Sequence, residues 1–236
     1  MRLLEQIIKQ NLTSVAEFIF PRCCHLCESK LTDDENYICS TCLSRLPRTH
    51  YHRNPMNPME QRFAGKFPFE SATGHFFYAK DSDLSILMQD LKYRHYRGLA
   101  KRLGLLAGKE LYLTSFLADI DCIIPIPIHF IKKAKRGYNQ TEEIASGIKE
   151  ATSIPIKRNL IASRPHKTQT SLTHQQRQTN TQGIFGVKEP QELSGLHILL
   201  LDDVCTTGAT LTSAAETLLS SNPDIRLSLL TIGVTF

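Results

Sequence analysis

Apolar residues recur along this chain with two different periods, and the switches between them outline its elements. Leu4, Ile7, Ile8, Leu12, Val15 and Ile19 return at helical spacing. They predict an amphipathic helix over 3–19, stopped near Pro21. The same period returns in Leu84, Leu87, Met88 and Leu91, and again in Leu99, Leu103, Leu106 and Ala107. It appears over 141–151, and in Leu211, Ala214, Ala215, Leu218 and Leu219, where Asn222-Pro223 ends it. Between these helices stand short apolar runs: HFFYA (75–79), DCIIPIPI (121–128), HILLLD (197–202) and RLSLLTIGV (226–234). Strands with unbroken apolar runs are buried on both faces. The alternation of such strands with helices predicts an α/β fold, a parallel sheet flanked by helices. Residues 47–68 carry four prolines and no period, and read as a linker or a hood segment.

Composition sets the class. With 236 residues and 41% hydrophobic positions the chain can bury a real core. No apolar run approaches bilayer length. Glu5, Gln6, Lys9, Gln10 and Asn11 break up any secretory core in the first helix, so a packing helix and a cytoplasmic location are expected. The net charge is only +5, yet 130–180 carries +7 and the remainder −2. That local excess suits either a polyanionic ligand or a solvated surface.

Seven cysteines occur, five of them between Cys23 and Cys42. Cys24-x-x-Cys27 and Cys39-x-x-Cys42 are separated by eleven residues. Two such knuckles present four thiolates to a tetrahedral Zn²⁺, a closed structural site whose metal supplies the module's folding energy. Cys23 stands as an alternative ligand to Cys24. Disulfides compete with this reading only in an oxidising compartment. Cys122 and Cys205 read as packing thiols.

The densest chemistry lies in ILLLDDVCTTGAT, residues 198–210. Two like charges close an apolar strand, and a small hydroxyl- and glycine-containing loop leads into a helix. Ligands of open parallel sheets bind beyond the carboxyl ends of the strands. A helix N-terminus with free N–H groups there accepts an anion, and Asp202 and Asp203 accept hydroxyl groups. A diol beside a phosphate is a ribose phosphate; a helix-capping loop accounts for one of the two acids.

This stretch resembles the thirteen-residue phosphoribosyl-pyrophosphate (PRPP) motif of type I phosphoribosyltransferases. The resemblance implies that fold for the sheet domain. It also implies that Asp202 and Asp203 meet the ribose hydroxyls, that Thr206, Thr207, Gly208, Ala209 and Thr210 hold the 5′-phosphate, and that Mg²⁺ accompanies PRPP. A narrower resemblance spans nearly the whole chain. The double CxxC, LKYRHYRGLA (91–100), IPIPIHFIKKAKRGYNQTEEIA (124–145) and RPHKTQTSLTHQQRQTNTQGIF (164–185) are similar, in order, to motifs of the ComF family. His166 and Cys205 depart from that pattern. The family reading puts Arg136, Gly137, Tyr138, Asn139 and Gln140 near the pyrophosphate and residues 164–180, with Arg164 and Arg177, on a loop over the site. Asn139 serves equally as a cap of the helix that follows. The implied organisation is an amphipathic helix at 1–20, a Cys₄ zinc-finger module at 21–47, a linker or hood at 48–70 and the phosphoribosyltransferase-like domain at 71–236.

Two functions compete. In one, a Mg²⁺-dependent transferase displaces pyrophosphate from PRPP with an unknown acceptor. In the other, implied by the ComF resemblance, the protein serves DNA uptake in natural competence. It would then bind PRPP, single-stranded DNA and a competence helicase-like partner. Tyr93, Tyr96 and Tyr138 beside Lys92, Arg94, Arg97 and Arg136 are placed to stack on bases, or to pack in the core.

Overall fold

A computed structural model describes residues 21–93, 96–128, 137–162 and 184–235. The helix expected within 1–20, and Arg136, Arg164 and Arg177, lie outside these described residues. The chain divides into two compact units, Met1–Leu46 and Pro47–Phe236.

In the first unit, residues 21–46 wrap around the cysteines. Helix α1 (Ser40–Arg45) starts at Cys39, whose sulfur accepts the Cys42 N–H at 3.4 Å. Leu31, Ile38 and Leu46 are its buried aliphatic side chains. So small a core cannot hold a fold by apolar burial.

The second unit contains strands β1 (Ser71–Phe77), β2 (Cys122–Pro125), β3 (Leu160–Ala162), β4 (Phe185–Val187), β5 (His197–Cys205) and β6 (Arg226–Val234). Among the described residues its α-helices are α2 (Pro58–Phe63), α3 (Asp83–Tyr93), α4 (Arg97–Tyr112), α5 (Gln140–Thr152) and α6 (Ala209–Ser221). One sheet has the order β1-β6-β5-β2 with every pair parallel. Parallel neighbours need long crossovers, which the helices supply. Ile198, Leu199, Leu200 and Leu201 in β5 are all fully buried, as their unbroken apolar run predicts. β5 continues three residues beyond Asp202, because Val204 and Cys205 still pair with Gly233 and Val234 of β6. β3 and β4 form a separate antiparallel pair, too short to leave a readable period.

The proline-rich segment also has structure. Residues Tyr51–Arg53 form a 3-10 turn, and Pro58 occupies the first turn of α2, where its missing N–H costs nothing. The Asn57 side chain caps that helix by accepting the Met59 and Glu60 N–H groups, and it donates to the Ala72 carbonyl at 3.0 Å. Met59 and Phe63 are fully buried. Nearby, Glu110 of α4 binds Arg48 at 2.7 Å and His75 of β1 at 3.1 Å. Burial alone would raise the Glu110 carboxyl; His75 and Arg48 overcome that and hold it at about 2.

Helices α4 and α5 pack through glycines. A Cβ on Gly104 would lie 2.0 Å from the Ile144 carbonyl oxygen, and one on Gly147 would lie 2.1 Å from that of Lys101. Each helix therefore rests on the other's backbone. Gly147→Ala is expected to force the pair apart at a cost of about 1–3 kcal/mol. Thermal unfolding should show a drop in Tm of several degrees; an unchanged Tm would mean that the helices separate without penalty.

Candidate functional site

All four strands of the parallel sheet end on one edge, and β5 lies between β2 and β6. At that edge stand Asp202 and Asp203, half-buried. The Asp202 carboxylate accepts the Asp203 N–H at 2.8 Å, and the Asp203 carboxylate accepts the Val204 N–H at 2.7 Å. Lys92, from the last turn of α3, places its ammonium 3.6 Å from Asp203. Burial first, and then the adjacent Asp203 charge, push the Asp202 carboxyl well above the usual carboxylate range. Lys92 offsets only part of this. The site thus holds an acid whose ionisation is disfavoured until something comes to balance it.

The loop Thr206–Thr210 follows directly. Gly208 adopts φ +81° and forms the N-cap of the 13-residue helix α6. Its Cβ, if present, would lie 2.8 Å from the Phe63 ring, so glycine is required here for both conformation and space. No side chain caps α6 at Gly208. Thr207 Oγ1 accepts the Ala209 N–H at 3.4 Å. Asp202 and Thr206 to Thr210 surround a depression of about 30 Å³ at the helix N-terminus, where N–H groups and the helix dipole favour an anion.

A larger cleft, of about 310 Å³, opens beside it and is shared by both aspartates, Thr210 and Lys92. Gln140 and Thr141, the first residues of α5, line it together with Ile126, Phe185 and Ala162. Two helix N-termini therefore meet one cleft. Asn139 acts as the cap of α5, accepting the Thr141 N–H at 3.1 Å while donating to the Ile126 carbonyl. Tyr138 is buried, with its hydroxyl on the Leu91 carbonyl and the Arg97 guanidinium over its ring. Core packing accounts for this tyrosine, and its ring faces are not open to a base. The residues between β3 and β4 that carry Arg164 and Arg177 lie outside the described residues; Ala162 and Phe185, on either side of them, stand in the cleft wall.

The structure adds residues that spacing did not single out. Lys92 was visible in the sequence only as one cation among several in LKYRHYRGLA. Gln140 stood out only through the family reading, beside Arg136 and Asn139, and the structure brings it to the cleft wall. Arg62 donates to the carbonyl of Thr206 at 2.5 Å, from a segment that had no period at all.

The cysteine cluster is a second, separate candidate. Cys24, Cys27, Cys39 and Cys42 bring their sulfurs within 4.8 Å of one another, and the group can hold a metal such as zinc. Cys27 and Cys39 sulfurs are 3.7 Å apart, close to the about 3.8 Å that two thiolates on one tetrahedral Zn²⁺ require. Cys23 points elsewhere: its thiol donates to the Pro21 carbonyl, and Cys24 is the ligand-competent member of the adjacent pair. Hydrogen bonds from Ser29 lower Cys27 to about 6, whereas burial pushes Cys42 up. A cation among the sulfurs would remove that conflict.

Comparison with known proteins agrees with this geometry. A family model described as phosphoribosyl transferase domain matches residues 112–231, which include the Asp pair and its loop. The chain is 28% identical over 212 residues to Competence protein F of Haemophilus influenzae, covering 84% of this chain and 90% of that protein. It is 25% identical over 239 residues to Competence protein ComFC of Bacillus subtilis, covering 98% of this chain and 92% of that protein. The ComF resemblance read from the motifs is thus met along most of the chain. Among solved structures, the allosteric regulatory enzyme of purine biosynthesis aligns with TM-score 0.39 and 18% identity over 57% of this chain. The chain spans a quarter of that protein's length.

Two outcomes are expected. Asp202→Asn, which keeps the acceptor for the Asp203 N–H, should raise the Tm of the ligand-free protein at neutral pH. Because the folded-state pKa is raised, ionised Asp202 costs stability above it. The gain should therefore shrink as pH falls and vanish below the unfolded value of about 3.9. A pH-independent Tm difference would contradict the assignment. For the cysteine cluster, elemental analysis should find one zinc per chain, lost in Cys42→Ser, and chelation should melt residues 21–46. A metal-free protein with unchanged far-UV circular dichroism would refute it.

Proposed function

The chain belongs to the phosphoribosyl transferase domain family, and from that premise we propose that its cleft binds PRPP or a similar ribose phosphate, with Mg²⁺. The observation that carries the reading is the cleft with both Asp202 and Asp203 adjoining, through Asp202 and Thr210, the depression lined by Thr206–Thr210 at the start of α6. The carboxylates take the ribose 2′- and 3′-hydroxyls, and the loop takes the 5′-phosphate. The cleft's second end, at the start of α5, takes the pyrophosphate, with Arg136, Arg164 and Arg177 as its cationic partners. Hard oxygen donors suit Mg²⁺, and Asp202 and Asp203 are the residues here that would face it. When bound, Mg²⁺ neutralises the charge of the pyrophosphate. Ligand and metal together relieve the raised Asp202 carboxyl, so binding stabilises a site that is costly when empty.

The cellular role we propose is DNA uptake during natural competence, in the cytoplasm. The similarity to two competence proteins over most of the chain supports this role. A structural zinc in the cysteine module and the basic stretch of 130–180 would serve contact with single-stranded DNA and a helicase-like partner. The second reading, a transferase acting on an unknown acceptor, draws on the same cleft. No described side chain in the cleft is placed as an obvious general base, so catalysis would rest on orientation and charge stabilisation.

Calorimetric titration with PRPP and Mg²⁺ should give a saturable signal that Asp202→Asn with Asp203→Asn removes. Retained binding in the double variant would place the ribose elsewhere. Single-stranded DNA should bind with an affinity that falls steeply with salt, as counterion release requires. A flat salt dependence would count against the DNA role, and acceptor-dependent pyrophosphate release would favour the transferase.

A further inference from the structure

We infer that Arg62 is the positioning residue of the anion loop: it holds two peptide groups so that their N–H bonds face the 5′-phosphate position. This rests on the reading of that depression as a phosphate cradle. Arg62 lies on α2, outside the 112–231 range that the family model matches. Its guanidinium donates to the Thr206 carbonyl at 2.5 Å, to the Thr235 carbonyl at 2.7 Å and more weakly to the Cys205 carbonyl at 3.4 Å. The Cys205 carbonyl also accepts the Thr235 N–H at 3.0 Å.

The C=O and N–H of a planar trans peptide point in opposite directions. Fixing the Cys205 and Thr206 carbonyls toward Arg62 therefore turns the N–H groups of Thr206 and Thr207 the other way, toward the depression. Among the described residues neither of these N–H groups has an acceptor. Directly beyond them, Phe63 abuts Gly208 and closes the floor of the loop. No carboxylate among the described residues forms an ion pair with Arg62. Its charge is spent on backbone oxygens, which strengthens those bonds relative to neutral ones. Arg62 thus does what a preorganised site needs: the donors are aimed before the anion arrives.

The test compares two probes, ribose 5-phosphate and Mg²⁺-pyrophosphate, on the full zinc-loaded chain. Arg62→Gln is expected to weaken ribose 5-phosphate by about tenfold or more, while pyrophosphate, which has no 5′-phosphate, changes by less than about twofold. Arg62→Lys keeps the charge but not the fork of donors. It should recover part of the loss, and it gives the same discrimination should Arg62→Gln fail to fold. Unchanged ribose 5-phosphate binding in Arg62→Lys and Arg62→Gln would overturn the inference. An equal loss for both probes would also overturn it, since that is what general destabilisation does. If the unsubstituted protein binds pyrophosphate but not ribose 5-phosphate, the cradle reading itself falls.

Discussion

Everything in the larger unit follows from β5 being paired in parallel on both sides. With β2 on one flank and β6 on the other, the backbone of Ile198–Leu201 is paired on both sides, and those side chains are covered above and below. Polar chemistry has no room there. It is displaced to the one edge where all the strands end, and the turn into α6 must be made at the same place. Two carboxylates, a glycine in a left-handed conformation and a helix N-terminus are therefore crowded together by topology. A cleft lined by two carboxylates, Lys92 and two helix N-termini is the product of that crowding, and the disfavoured charge on Asp202 is its cost.

What the sequence made legible divides along the same physical line. Helices α3 to α6, β5 and β6 announce themselves because each is periodic or continuously apolar over many residues; β1, expected over 75–79, runs over Ser71–Phe77, its start hidden by the small and polar residues Ser71 to Gly74. The Asp pair and its loop were visible because their residues are contiguous. β3 and β4, three residues each, are not, since their pairing is defined only by the distant partner strand. Segment 48–70 was opaque for a different reason. Its prolines look like breakers, yet Pro58 starts a helix and Phe63 ends as floor beneath Gly208, 145 positions further along. Tyr138 shows the limit in the other direction. Its neighbours in sequence are basic, but its neighbours in space are Leu91 and the core.

The two units reach order by different means. Pro47–Phe236 has a large apolar core in which helices approach closely enough for Gly104 and Gly147 to touch carbonyls. Residues 21–46 have a few aliphatic side chains and four gathered sulfurs. For the first, stability is set by volume and packing. For the second, a metal held by the four sulfurs would couple stability to ligand protonation, so that acid and chelators would act on that unit and core substitutions on the other.

The contacts of Arg62 have a consequence for how the protein comes into being. They join α2 to Thr206 and Thr235, 144 and 173 residues apart. Contacts across such spans form after local ones, because the closure entropy of the intervening chain must first be met. As the polypeptide leaves the ribosome, the helices between these residues can form early, while the contacts of Arg62 wait until Thr206 and Thr235 have been made. A fragment arrested before β6 would hold Asp202, Asp203 and Thr206–Thr210 and still lack the Thr235 carbonyl that Arg62 binds.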